Sequence, residues 1–166
     1  MSAPTVGALW QRAIDARRPG AAFLEERDGD WHEVSWDDAA ARVSALANGF
    51  LSLGVEKGDR VAILCRTRLE WTLTDYALAT IGAAVVPVYP TSSQAEVAFV
   101  LADSATKVLV AENAEQLEKL EGQDLPALER VVGIDVAGRD GTLADVEKDG
   151  WEFAAEQPDA LALAAA

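Results

Sequence analysis

The sequence has one cysteine and one histidine in 166 residues. A single thiol, Cys65, cannot close an internal disulfide, and such sparing use of cysteine points to the cytosol. With only His32 beside it, an all-Cys/His zinc site is excluded. Positive charge is also scarce. Fourteen Lys and Arg face 28 Asp and Glu, a formal net charge of −14. That field repels a phosphate backbone, which excludes a nucleic-acid partner held by charge neutralisation. It equally disfavours polybasic adhesion to an anionic bilayer. No apolar run reaches spanning length, so no transmembrane helix is expected. The opening segment places Arg12, Arg17 and Arg18 after its apolar residues, the reverse of a secretory signal. GxGxxG, GxxxxGK followed by Ser or Thr, and GxSxG are all absent. Backbone amides need such glycines to approach a polyphosphate closely.

What remains is enough for a core. Half the residues are apolar and a quarter are charged, over a length typical of one domain. The acids are uneven: residues 1–111 hold 14 acids and 10 bases, residues 112–166 hold 14 acids and 4 bases. The C-terminal segment reads as a solvated acidic flank.

Thr5 caps a first helix with Val6, Leu9, Trp10, Ala13 and Ile14 on one face, stopped by Pro19-Gly20. Ala21 to Glu26 and Trp31 to Val34 read as two strands joined by an Asp28-Gly29-Asp30 turn. Ser35 begins a capping box, with Asp38 in place of the usual Glu or Gln, that opens an amphipathic helix through Ala39, Val43, Leu46, Phe50 and Leu53, closed by Gly54. From Gly58 the pattern changes to short apolar strands separated by helices. The strands are Arg60-VAILC, Ala83 to Val88, Lys107-VLVA and Arg130 to Asp135. The helices run from a Thr67/Glu70 capping box to Ile81, from a Ser93/Glu96 capping box to Ala102, and from Ala114 to Leu120. Pro87 marks its strand as an edge or as interrupted. Leu143 to Lys148 reads as a helical turn. Such alternation predicts an α/β fold, an open and mostly parallel sheet with flanking helices. Three segments are expected: a helix, hairpin and helix over 1–57, a parallel α/β core over 58–135, and an acidic, partly helical segment over 136–166.

Ligands of open parallel sheets bind outside the strand carboxyl ends. That position selects Arg66 and Arg68 after the first buried strand, able to grip a carboxylate or phosphate, with pairing to local acids as the competing role. It also selects Thr91, Ser92 and Ser93, whose hydroxyls precede a helix N-terminus; Ser93 is equally a plain cap. His32 reads as a surface strand residue and Cys65 as a small core hydrophobe. Asp37 and Asp38 suit a helix's first turn. Asp75, on an otherwise apolar helix, is a satisfied carboxylate, an exposed gap or a ligand. No residue reads as catalytic or metal-ligating.

The stretches GDRVAILCRTRLEWTLTDYALATIGAAVVPVYPTSS and QAEVAFVLADSATKVLVAEN, preceded by VSWDDAAARVSALANGFLSLGVEKGDRVAI, resemble the N-terminal part of the adenylate-forming, AMP-dependent synthetases. The resemblance runs from about Thr5 to Ile134, and is greatest to bacterial long-chain fatty-acyl-CoA ligases. It implies an incomplete N-terminal subdomain of that fold. It also implies a two-step reaction: a fatty acid attacks the α-phosphate of ATP, and coenzyme A thiol then displaces AMP. ATP, Mg2+ and coenzyme A are implied for a full-length member, and a fatty acid as substrate. The family's phosphate loop, later aromatic-Gly-Thr-Glu element, ribose-binding Asp and C-terminal lysine have no counterpart here. The chain is therefore expected to bind none of these cofactors tightly and to be inactive alone. Its ending, Leu161-ALAAA, is expected to fall just before the phosphate loop. The alternatives are a non-catalytic truncated paralogue acting as a binding or dimerisation module, and a ligase of the same superfamily with another acid. A homodimer through exposed sheet edges, and cytoplasmic residence with peripheral membrane contact, complete the expectations.

Overall fold

The structure, a computed structural model, describes residues 5–165. In chain order it contains α1 (Val6–Asp15), β1 (Phe23–Arg27), β2 (Asp30–Val34), α2 (Trp36–Ser52), β3 (Arg60–Leu64), α3 (Leu69–Thr80) and β4 (Ala84–Val88). There follow α4 (Gln94–Asp103), β5 (Val108–Ala111), α5 (Ala114–Glu118), β6 (Arg130–Gly133), α6 (Leu143–Glu156) and α7 (Ala160–Ala164). β1 and β2 form an antiparallel hairpin. Its turn residues Asp28 and Gly29 have φ of 55° and 88°, the left-handed pair that matches the twist of a two-residue hairpin. The four remaining strands form one parallel sheet in the order β4-β3-β5-β6.

The five-residue run of β3 is buried on both faces because each face carries its own core. Val61 and Ile63 point to the larger cluster, with Leu46 and Phe50 of α2, Leu73 and Leu78 of α3, and Leu143 and Val146 of α6. Ala62 and Leu64 point the other way, to Val97 and Leu101 of α4. The larger core draws on all three sequence segments, from Trp10 to Val146. An aromatic group joins α1 to the hairpin, α2 and α3: Trp10 stacks on Tyr76 at 4.4 Å and lies 6.4 Å from Phe23 and 6.3 Å from Trp36.

Three local expectations change. Thr67 and Glu70 do not form a capping box. Arg68 is the N-cap of α3 and, carrying only donors, gives it no side-chain acceptor; the Glu70 carboxylate turns to the Arg68 guanidinium, 2.7 Å away. Ser35 does cap α2, accepting the Asp38 N–H, but its hydroxyl and not its amide donates to the Asp38 carboxylate. The turn expected over Leu143–Lys148 is a 14-residue helix, opened by a full capping box of Thr142 and Asp145.

The outer edge of β6 is occupied, whereas β4 is an exposed edge as Pro87 suggested, with one of its donors removed by that proline. On β6 the outward N–H groups are taken: Val131 donates to the Asp140 carboxylate at 2.8 Å and Gly133 to the Gly141 carbonyl at 3.0 Å. On β4, Ala84 donates to the Asp59 carbonyl on the β3 side, so by alternation Val85 and Pro87 face outward. Pro87 has no N–H. It costs the β3–β4 ladder nothing there and removes a donor from the free edge.

Candidate functional site

The carboxyl ends of β3, β5 and β6 converge on one buried carboxylate. Glu112 directly follows the apolar run of β5, and its side chain is 4% exposed. Its backbone is fixed from both sides, its N–H donating to Leu64 of β3 and its carbonyl accepting the Asp135 N–H beyond β6. Burying a carboxylate is costly unless it is paired, and here two arginines supply the charge. The backbone N–H of Arg66 donates to Glu112 Oε2 at 2.9 Å, and Arg66 Nε lies 2.7 Å from Oε1. Arg68 Nη1 is 3.7 Å from the same oxygen.

Arg68 is spent within the protein. Its Nε donates to Glu70 at 2.7 Å and its Nη1 to both oxygens of Asp135, at 2.9 and 3.0 Å. Burial alone would make Arg68 easier to deprotonate, but the hydrogen bonds to Glu70 and Asp135 reverse this and raise its pKa. Burial likewise pushes Glu70 up, and Arg68 outweighs it, holding Glu70 below its usual range. Cys65, buried at the end of β3, has its thiol pushed up to about 12 by burial and then by the Glu112 charge, so it is a core thiol and not a nucleophile. The assembly joins two guanidiniums to three carboxylates.

Thr91, Ser92 and Ser93 lie beyond the carboxyl end of β4, at the same end of the sheet, but are not joined to this network. Ser92 donates its N–H to the Tyr89 carbonyl. Ser93 is a complete cap: its N–H and hydroxyl both donate to Glu96, at 2.7 and 2.9 Å, which lowers the Glu96 pKa. A carboxylate therefore sits at the α4 N-terminus where an anion would bind. Lys119 fixes the same loop by donating to the Pro90 carbonyl at 2.6 Å. His32 is exposed on β2 opposite Glu25. Asp75 is half-buried on α3, and burial raises its pKa. Among the described residues no group of His, Cys, Asp and Glu is arranged to hold a metal ion.

A cleft of about 890 Å³ separates this network from the hairpin, bounded by Phe23, Leu24 and Trp31 on one side and Arg66, Thr67 and Leu69 on the other. The sequence identified the two arginines and missed Glu112, Glu70 and Asp135. The available signal was an acid placed directly after one buried strand, level with an arginine just beyond the next.

Comparison with known proteins supplies the lineage. The model of the AMP-binding enzyme family matches residues 10–165. The long-chain-fatty-acid–CoA ligase FadD15 of Mycobacterium tuberculosis is 44% identical over 114 residues, covering 67% of this chain and 19% of that protein. The crystal structure of the N-terminal domain of FACL13 from M. tuberculosis superposes with a TM-score of 0.76 at 25% identity, covering 88% of this chain and 36% of that one. The uncharacterized protein Rv1549 of the same organism is 29% identical over 119 residues, covering 72% of this chain and 66% of that protein. The chain thus spans about a fifth of the length of the ligase it matches.

Proposed function

The chain belongs to the AMP-binding enzyme family, and from that premise we propose that it is the N-terminal portion of a long-chain fatty-acid–CoA ligase. The full enzyme would activate a fatty acid with ATP and Mg2+ and pass the acyl group to coenzyme A. The 44% identity to FadD15 is the observation that carries this reading. The part of the work assigned to these residues is mechanical: a parallel sheet, packed on both faces, whose strand ends are cross-linked by Arg66, Arg68 and Glu112 into a rigid support.

The residues present do not fit a triphosphate or its metal. The two arginines at the strand ends are outnumbered by Glu70, Glu112 and Asp135, so the cluster repels a polyanion. The N-terminus of α4, at the same end of the sheet, already holds the Glu96 carboxylate. Glycine-rich backbone able to wrap phosphates is absent from the sequence. These 166 residues by themselves therefore do not adenylate. Cytoplasmic residence, with peripheral contact to lipid, belongs to the same reading.

Two measurements test it. A FadD15 chimera carrying this chain in place of the segment it matches should activate palmitate with ATP. A folded but inactive chimera would refute the lineage of function. The isolated chain should release no pyrophosphate from ATP, Mg2+ and palmitate, and sustained release would refute inactivity.

A second reading, a short non-catalytic relative used as a binding module, is favoured by the match to Rv1549, two-thirds of whose length this chain covers. A reading frame that stops after Ala166 in the natural gene would favour it, and one that continues into a phosphate loop would remove it.

A further inference from the structure

The start of the chain departs from the net charge of −14. Residues 1–20 hold three bases, Arg12, Arg17 and Arg18, and one acid, Asp15. All three arginines are exposed, and none of them is ion-paired among the described residues. Asp15 accepts from Gln11 Nε2 at 2.9 Å. Trp10 is buried and holds α1 to α3 through its stack on Tyr76. Val6, Leu9 and Arg12, at steps of three, form a ridge that faces outward, with Val6 51% and Leu9 50% exposed. An apolar pair with a cation one step along the same ridge is the pattern of a helix lying in a lipid interface.

Arg17 and Arg18 follow α1 directly. Arg17, at φ 45°, donates its N–H to the Ile14 carbonyl at 3.1 Å and closes the helix. The two arginines line a cavity of about 340 Å³ with Ser35, Trp36 and Asp37 at the first turn of α2. The Ser35 hydroxyl accepts the Asp38 N–H, and helix geometry leaves the Trp36 and Asp37 N–H groups without an intrahelical acceptor. The indole N–H of Trp36 is buried with no acceptor at all. Asp37 is the acid of this wall, and two guanidiniums outweigh it. Such a donor set is complementary to a phosphate. We propose that α1 docks on an anionic phospholipid surface, with Val6 and Leu9 entering the headgroup boundary and a lipid phosphate seated between Arg17 and Arg18. Free phosphate would leave the exposed Val6 and Leu9 unused. The acids elsewhere on the chain do not forbid the contact, because exposed charges are screened beyond about 8 Å at physiological ionic strength. The proposal deepens the peripheral lipid contact of the reading above by naming its surface. Acyl activation by the chimera and vesicle binding by this chain are separate measurements, so either can fail without the other.

The test is flotation of the 166-residue chain with vesicles of mixed phosphatidylcholine and phosphatidylglycerol at physiological ionic strength, with vesicles of phosphatidylcholine alone as comparison. The chain should float with the mixed vesicles and stay behind with phosphatidylcholine. Arg17→Gln and Arg18→Gln together should lower partitioning about tenfold with an unchanged circular dichroism spectrum. Lys148→Gln, at an exposed cation of α6, should leave it unchanged. Arg12→Gln should lower partitioning by a smaller factor and serves if the double variant fails to fold. Leu9→Ser should lower it with all three arginines in place. Inorganic phosphate, followed by the ¹⁵N shift of the Trp36 indole, separates the two sources of the anion. Equal flotation with phosphatidylcholine alone, flotation indifferent to the arginine variants, or phosphate binding at Trp36 without flotation would each overturn the proposal.

Discussion

Gly150 of α6 lies against the Ala45 carbonyl of α2: a Cβ built on it would stand 1.8 Å from that oxygen. Gly49 makes the reciprocal contact, its Cβ falling 2.0 Å from the Val146 carbonyl. Both obstacles are backbone, so neither can swing aside, and the two helices would have to separate. Overpacking of a core costs about 1–3 kcal/mol and occasionally more. Gly150→Ala and Gly49→Ala should each destabilise by at least about 3 kcal/mol in urea unfolding, despite the better helix propensity of alanine. A loss under about 1 kcal/mol would mean that α6 does not pack on α2 as found.

That contact also explains where the sequence was opaque. The parallel core was legible because VAIL and VLVA are apolar throughout, and the Ser93/Glu96 box could be read from spacing. α6 was not. Gly150 lowers its propensity, and the acids Asp145, Glu147, Asp149 and Glu152 read as a solvated flank. Only the tertiary fit of Gly150 to α2 makes the glycine favourable. Likewise Thr67 and Glu70 had the spacing of a capping box, and an ion pair with Arg68, itself set by Asp135 far along the chain, won the carboxylate. The arginines of the candidate site could be placed at a strand end, whereas Glu112 as their shared anchor required knowing that β3 and β5 are neighbours.

Ala105 follows α4 with φ of 47°, a left-handed conformation closing the helix by a Thr106 N–H to Leu101 carbonyl bond. A Cβ there costs about 1–2 kcal/mol, and glycine returns part of that through the entropy of the unfolded chain. Ala105→Gly should therefore raise stability by about 0.5–1 kcal/mol, seen as a higher thermal midpoint. A lower midpoint would contradict the cap geometry.

Glu70 and Asp75 make opposed contributions to the pH dependence of stability. Glu70 has a folded pKa below its ordinary 4.5: burial opposes the shift and the Arg68 hydrogen bond overcomes it. Its contribution is complete above pH 4.5 and is lost as pH falls through the lower folded value. Asp75 is the reverse, raised by burial above its ordinary 3.8. Its charge destabilises at neutral pH, and the penalty fades as pH falls through the raised value and is gone below 3.8. Asp75→Asn should stabilise at pH 7 and do nothing below pH 3.8, whereas Glu70→Gln should destabilise at pH 7 with its effect vanishing in acid. Urea melts at the two pH values check both, and a pH-independent difference in either variant would remove the assigned cause.

Association of the chain should be governed by Asp140. Its carboxylate accepts the Val131 N–H at 2.8 Å, and its own N–H donates back to the Val131 carbonyl at 2.9 Å, closing the outer edge of β6. It also draws in Arg139 at 3.3 Å and Arg130 at 3.6 Å. With that edge closed and Pro87 on the other, the parent chain has no long row of free donors to template strand pairing. It should run as a monomer on sizing chromatography at all concentrations. Asp140→Ala removes the acceptor, strands the Val131 N–H and takes the ion-pair partner from Arg130 and Arg139, a loss of about 1–3 kcal/mol for the unpaired donor. The variant should then associate with rising concentration, whereas Asp159→Ala, an exposed acid near the C-terminus, should not. A parent chain that already dimerises, or an Asp140→Ala variant that is destabilised yet stays monomeric at every concentration, would show that the β6 edge is not what holds copies apart.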